Sequence, residues 1–332
     1  MVGDAATMLS PDSLHEYLIA RGQLGVDAPV EVTELRGGVS SVVLAATAPG
    51  LRVAVKQSLP RLRVTDEWLA DQTRALTEVE ALRLCGRLTP DDVPRLLDVD
   101  EEALAFTIEL APAGWRPWKE LLLAGVGEPG IAARLGSVLA RWHSSTRVRE
   151  GMSPRFLNLE PFDQLRLDPY YRTTMARRPE LSDAIAPYLE RLLSTRRCLV
   201  HGDYSPKNVL VGPEGQWVID FEVAHRGDPA FDLAFMLNHL LLKAVHLPAS
   251  REAYERCAFA FWRAYHDEIA SELVLSPTYV LGQVACLMLA RVDGKSPVEY
   301  LTEDGRARTR RLGEALITAP PDTLGGAWSR LR

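Results

Sequence analysis

The sequence predicts an α+β protein in two parts, a small one with an antiparallel sheet and one long helix, then a larger one that is mainly helical. Three observations point there. Up to about residue 110, strand and helix patterns alternate; a linker-like Ala111-Pro112-Ala113-Gly114 follows; beyond it nearly every apolar repeat has the helical period, apart from one short hairpin.

In order, Ser10-Pro11 opens a helix, with Ser as N-cap, Pro in the first turn, and Leu14, Tyr17, Leu18 and Arg21 at helical spacing. Residues 29–36 read as a strand, Gly37-Gly38-Val39-Ser40-Ser41 as a turn, and 42–47 as the partner strand. Pro49-Gly50 turns into a third strand over 51–56, which completes an antiparallel meander. Residues 67–88 carry Leu69, Leu76, Val79, Leu82 and Leu84 on a helical period, and two short strands follow near 95–99 and 104–110. Helices are expected at 131–146, 181–195, 229–245, 252–269, 277–291 and 303–317.

Composition narrows the class. With 332 residues and 47% hydrophobic content, the chain buries roughly three quarters of its unfolded surface, so its core needs no metal or disulfide staple. A net charge of −6 argues against nucleic acid and anionic membranes as partners, since both demand clustered Lys and Arg. Cys85, Cys198, Cys257 and Cys286 are irregularly spaced and read as reduced core residues. The N-terminus lacks a basic and apolar leader, and the most apolar run, 233–245, is broken by Asn238, His239 and Lys243. A cytoplasmic location with no membrane span is therefore expected.

The densest chemistry lies between Cys198 and Glu222. His201-Gly202-Asp203 leads to Asn208, then come a strand, the turn Gly212-Pro213-Glu214-Gly215 and a returning strand that ends on Asp220-Phe221-Glu222. Such a hairpin carries Asn208 and Asp220 at one mouth, an oxygen pair that suits a hard cation such as Mg²⁺. Asp203, outside that pair, sits where a carboxylate accepts the proton of a hydroxyl attacking phosphorus.

This stretch resembles the catalytic loop of the protein-kinase-like phosphotransferases. Its spelling looks like the small-molecule branch: aminoglycoside phosphotransferases, choline kinases and methylthioribose kinases. The resemblance implies the protein-kinase-like two-lobed fold. It makes Asp203 the catalytic base, gives Mg²⁺ to Asn208 and Asp220, and has His201 support the loop. Asp220-Phe221-Glu222 stands where protein kinases read Asp-Phe-Gly, and is closer to the Asp-x-Glu of methylthioribose kinases, which makes Glu222 a candidate further metal ligand. Gly227-Asp228-Pro229-Ala230-Phe231-Asp232 resembles the segment whose last Asp accepts backbone N–H bonds from the catalytic loop, a structural role that falls to Asp232.

Lys56, at the end of Val53-Ala54-Val55-Lys56, resembles the family's nucleotide lysine, and Glu78 matches its acidic partner, with Glu80 the alternative should the helix register differ. Gly37 and Gly38, with Ser40 and Ser41, occupy the phosphate-covering turn, where glycine lets backbone amides approach phosphate. Glu109 and Leu110 read like the hinge that receives adenine. The implied layout is a nucleotide-binding lobe over residues 1–112, a hinge near 108–114, and a catalytic and acceptor-binding lobe over 113–332.

Other features carry blander readings. Gly125-Val126-Gly127-Glu128-Pro129-Gly130 satisfies a dinucleotide-binding spacing but follows a helical stretch, and Pro129 removes an amide, so it reads as an interhelical turn. Trp115 and Trp118 read as packing residues, and the run from Arg306 to Arg311 as a solvated helix face. The expected function is transfer of the γ-phosphoryl of ATP, GTP remaining open, with Mg²⁺, to a hydroxyl of a sugar-like, amino-alcohol or aminoglycoside acceptor. Acceptor choice is assigned to residues 156–178 and the last ninety residues, where Glu160, Asp163 and Asp168 mix with Arg166, Arg172, Arg177 and Arg178. Two rival readings are a nucleotide-binding regulator without turnover and a protein Ser/Thr kinase. Monomer and homodimer are equally compatible with the sequence.

Overall fold

In the computed structural model, which describes residues 8–35, 40–63, 70–147 and 152–331, the chain divides into two units, Met1–Trp115 and Arg116–Arg332. The first begins with α1 (Pro11–Ala20), whose N-cap Ser10 accepts the Ser13 amide while the Ser13 side chain accepts the Ser10 amide in return. Then come β1 (Glu31–Glu34), β2 (Ser41–Ala48), β3 (Leu51–Ser58), α2 (Arg74–Leu88), β4 (Leu96–Asp100) and β5 (Ala105–Glu109). The strands form one antiparallel sheet in the order β1-β2-β3-β5-β4. Alternation along β2 and β3 sends Val42, Leu44, Ala46, Val53 and Val55 toward Leu14 and Leu18 of α1 in one buried cluster. The same alternation turns Ala54 and Lys56 to the opposite face.

One boundary differs from the periodicity. The helix expected from residue 67 starts at Arg74, with 67–69 outside the described residues. Asp71 holds a turn instead, accepting the Thr73 amide at 2.9 Å and the Thr73 hydroxyl at 2.6 Å. Arg74, fully buried, donates to the carbonyls of Ser40, Leu59 and Ala70, which fixes where the helix begins.

The second unit contains β6 (Arg116–Pro117), α3 (Trp118–Leu123) and α4 (Pro129–Ser145). Next, α5 (Glu160–Phe162) runs through a π-helical stretch, Asp163–Arg172, into α6 (Thr173–Arg177), and α7 (Ser182–Ser194) follows. The remainder is β7 (Cys198–Val200), β8 (Val209–Gly212), β9 (Gly215–Val218), β10 (His225–Gly227), α8 (Ala230–His246), α9 (Arg251–Glu268), α10 (Pro277–Asp293), α11 (Glu303–Thr318) and α12 (Leu324–Ser329). The expectation of a single hairpin undercounts the strands. β6 pairs with β8 of the β8–β9 hairpin, and β7 pairs with β10. Strands of two or three residues are too short to show an alternation. The wide turns over 163–172 accommodate Pro169, which offers no N–H to a regular ladder.

Every residue of α8 from Ala230 to Val245 is buried, so this helix is the core of the unit. Helix α4 lies so close to α9 that a Cβ on Gly136 would come within 2.3 Å of the Phe261 carbonyl oxygen. Of the Gly125–Gly130 segment, Gly125–Glu128 is the turn between α3 and α4, and Pro129-Gly130 opens α4. Trp118 is fully buried. Arg310 pairs with Asp293 and Glu303, and Arg311 is exposed. The four cysteines are buried, and burial raises the Cys198 and Cys286 thiols far from reactivity. Among the described residues, no helix is long and apolar enough to cross a membrane.

Candidate active site

In the first unit, strand β3 presents Lys56 to α2, where its ammonium reaches both carboxylate oxygens of Glu78, at 2.9 and 2.7 Å. Both side chains are buried. The helix register selects Glu78; Glu80 pairs with Arg83 at 2.8 Å on the exposed side. Gly37 and Gly38 lie outside the described residues. Ser40 accepts the Leu59 amide at 2.9 Å through its carbonyl, and Ser41 starts β2 opposite Ser58 with its hydroxyl buried and without a partner. The Glu109 amide donates to the Arg95 carbonyl at 2.9 Å and the Leu110 amide to the Arg52 carbonyl at 3.2 Å. As donors both are spent inside the sheet, so what they retain for a base is narrowed to their carbonyls. The Glu109 side chain pairs with Arg95 at 3.2 Å.

In the second unit, β7 delivers the loop from His201 to Asn208. Asp232, in the first turn of α8, takes the His201 amide on Oδ2 at 2.7 Å and the Gly202 amide on Oδ1 at 2.9 Å. The His201 ring accepts the Asp203 amide on Nδ1 at 3.1 Å and donates from Nε2 to the Ile219 carbonyl at 3.2 Å. That pair of bonds requires the neutral ring, and burial holds the imidazole below its ordinary value, although Asp232, Asp203 and Asp220 pull the other way.

Asp203, buried, faces two cations. Arg166 Nη2 at 2.7 Å and Lys207 Nζ at 2.9 Å both stand at Oδ2 as ion pairs, while Oδ1, like Oδ2, accepts no aligned hydrogen bond. Burial raises the Asp203 carboxyl, but Arg166 and Lys207 outweigh it and hold the group below its usual range. Asn208 donates from Nδ2 to the Asp203 carbonyl at 3.0 Å, which leaves Oδ1 of the amide as an acceptor. Its own carbonyl takes the Ile219 amide at 2.9 Å, so the hairpin brings Asn208 beside Asp220. Asp220 has φ 71°, a left-handed conformation that non-glycine residues seldom adopt and that clusters at functional sites. Asn208 and Asp220, two oxygen-bearing residues at one end of the hairpin, are of the kind that suits Mg²⁺. Glu222 is buried within the field of Arg166.

Sequence reasoning missed three residues at this site, Lys207 beside Asp203, His143 and Arg166. His143 of α4 approaches Asp232 Oδ2 with Nε2 at 3.3 Å and the Tyr265 hydroxyl with Nδ1 at 2.9 Å, fully buried. Arg166, grouped with the acceptor-selecting arginines, is instead buried against Asp203 and donates to the Gly202 carbonyl at 3.0 Å. Its neighbours are engaged elsewhere: Arg172 with Asp163, Arg177 with the carbonyls of Asp293 and Gly294, and Arg178 with Glu180, Asp293 and Glu314.

The fold is that of the protein-kinase-like phosphotransferases. A choline/ethanolamine kinase family protein from Mesorhizobium loti superposes with a TM-score of 0.55 at 18% identity, covering 97% of this chain and 98% of that one. A choline kinase from Streptococcus pneumoniae does so with a TM-score of 0.54 at 14% identity, covering 93% and 98%. Residues 31–275 match the family model described as the phosphotransferase enzyme family, and the chain belongs to that family. Among its relatives, methylthioribose kinase 1 of Oryza sativa is 24% identical, over 86% of this chain and 77% of that protein. The methylthioribose kinase of Bacillus cereus is 27% identical, over 74% and 68%. The protein is thus a phosphotransferase with an alcohol group of a small molecule as acceptor, and the reading as a regulator without turnover gives way.

Proposed function

We propose that the protein transfers the γ-phosphoryl group of ATP to a small-molecule hydroxyl, with Asp203 as the base and Mg²⁺ held by Asn208 and Asp220. The observation that carries this reading is the state of Asp203: its backbone is tied through His201, Asp232 and Asn208, its Oδ2 is taken by two cations, and its Oδ1 is left over. Oδ1 receives the hydrogen bond of the acceptor hydroxyl. Because the carboxylate is held below its usual range, it is a weak base that orients the hydroxyl first and takes its proton late, as a loose transition state requires. A new bond forms from the acceptor oxygen to phosphorus as the bond to the departing ADP oxygen breaks. Lys56, fixed by Glu78, holds the donor's phosphates, with the 1–112 part as nucleotide lobe and the 113–332 part as acceptor lobe. Mg²⁺, when bound, offsets the charge of the phosphates.

An ADP-release assay with Mg·ATP, screened over methylthioribose, choline, aminoglycosides and polyols, tests the proposal. ADP release should rise with an acceptor and vanish on chelation of Mg²⁺. No acceptor-dependent release, or release indifferent to the chelator, would sink it.

A further inference from the structure

Beyond Asp203, the second unit gathers cations that its own carboxylates do not balance. Lys243 of α8 is fully buried, and its ammonium reaches the His239 carbonyl at 3.4 Å and the face of Tyr300, 5.4 Å from the ring centroid. Among the described residues, no carboxylate stands in ion-pair range of it. Arg291 of α10, half-buried, likewise has no carboxylate in ion-pair range among the described residues: Nη1 donates to the Tyr170 hydroxyl at 3.2 Å, to the Ser296 hydroxyl at 3.0 Å and to the Ser296 carbonyl, and Nε has no partner. Lys119 of α3 is the third cation, a third exposed, and pairs with Glu299. One carboxylate thus serves three cations.

An uncompensated ammonium out of water is costly enough that a protein normally pairs it or replaces it by an apolar side chain. The polar atoms around it are left over as well. The Tyr300 hydroxyl and Arg291 Nε are buried with no hydrogen-bond partner, a pattern that calls for a missing guest. The cluster is continuous with the candidate active site. Tyr170, whose hydroxyl meets Arg291, lies within the fields of Arg166 and Lys207, the two cations on Asp203. The buried His239 ring is held well below its ordinary value by burial and by the charges of Lys243, Arg291, Lys207 and Lys119, so it adds no charge of its own at neutral pH.

We infer that the acceptor carries, besides its reacting hydroxyl, an anionic group, carboxylate or phosphate, which binds among Lys243, Arg291 and Lys119. The inference deepens the proposed reaction and rests on it for the position of the reacting hydroxyl. Burial, with Lys119 and Arg291, pulls the Lys243 ammonium down to about 7, against a partial offset from Glu299. An incoming anion draws the proton back onto Lys243, and anion binding weakens as pH rises past neutrality.

Calorimetric titration with matched open-chain triples at four and six carbons tests this; the six-carbon set is gluconate, sorbitol and glucamine. The wild type should bind the carboxylate member at least about tenfold tighter than the other two, with proton uptake near neutral pH, and Lys243→Met should bring the triple to parity and abolish the uptake. Sorbitol 6-phosphate in a parallel arm tells a phosphate site from a carboxylate site. Equal binding across both triples and the phosphate, or a preference for glucamine, overturns the inference, as does anion selectivity that survives in Lys243→Met. Since Met replaces an unpaired buried charge, the variant is expected to fold. Binding is read without turnover: selective binding without phosphoryl transfer counts against the proposed reaction, and transfer to neutral or cationic acceptors counts against this inference alone.

Discussion

Replacing Asp232 by Asn tests how the catalytic loop is held. The two carboxylate oxygens divide two backbone amides between them, His201 at 2.7 Å and Gly202 at 2.9 Å, and the side chain is fully buried. Asn keeps one acceptor and turns an NH₂ toward the other amide, so one buried N–H loses its partner and the remaining bond loses its charge. An orphaned buried donor costs about 2 kcal/mol and the lost charge assistance about 1 kcal/mol more, so the loss is about 3 kcal/mol. For a unit of roughly two hundred residues, that lowers the midpoint of thermal unfolding by about 6–12 °C. Because the affected amides immediately precede Asp203, kcat should fall by about a hundredfold. Scanning calorimetry and ADP release on the same preparations measure both. A midpoint within about 2 °C of the wild type, or an unchanged kcat, would refute the idea that Asp232 holds the loop through these amides.

Lys207→Met removes one of the two cations that keep Asp203 low. The carboxyl value should rise, moving the acid limb of the kcat/KM profile to higher pH; the stability that the ionised Asp203 contributes, lost as pH falls through its folded value, should also begin to disappear at higher pH. An acid limb that stays in place would show that Lys207 exerts no such influence. Asp220→Gly should relieve the left-handed backbone at φ 71°, leaving the protein as stable or about 1 kcal/mol more stable in urea titration, while phosphoryl transfer is lost. Gly136→Ala, which drives a methyl group against the Phe261 carbonyl of α9, should cost about 1–3 kcal/mol by the same titration.

Most of the fold was legible because its signals are local. The Ser10 cap, the alternation in β2 and β3 and the helical periods all act within a few residues, and the ordered motif from Lys56 to Asp220 could be read along the line. Contacts across long separations were not. His143 and Arg166 reach Asp232 and Asp203 from segments remote in sequence, and no spacing rule points at either. The left-handed Asp220 is a property of the backbone that no residue pattern encodes. Asn238, His239 and Lys243 did stand out, but only as interruptions of an apolar run. Their placement inside a helix buried on every side gives the lysine its significance, since an exposed face would have solvated it.

Asp203→Asn, assayed side by side for Mg·ATP binding by calorimetry and for acceptor-dependent ADP release, tests the central claim most directly. The amide preserves shape but cannot take a proton, so nucleotide affinity should stay within about threefold of the wild type while phosphoryl transfer falls by at least about a hundredfold. Transfer at the wild-type rate with intact nucleotide binding would contradict the assignment of Asp203 as the base.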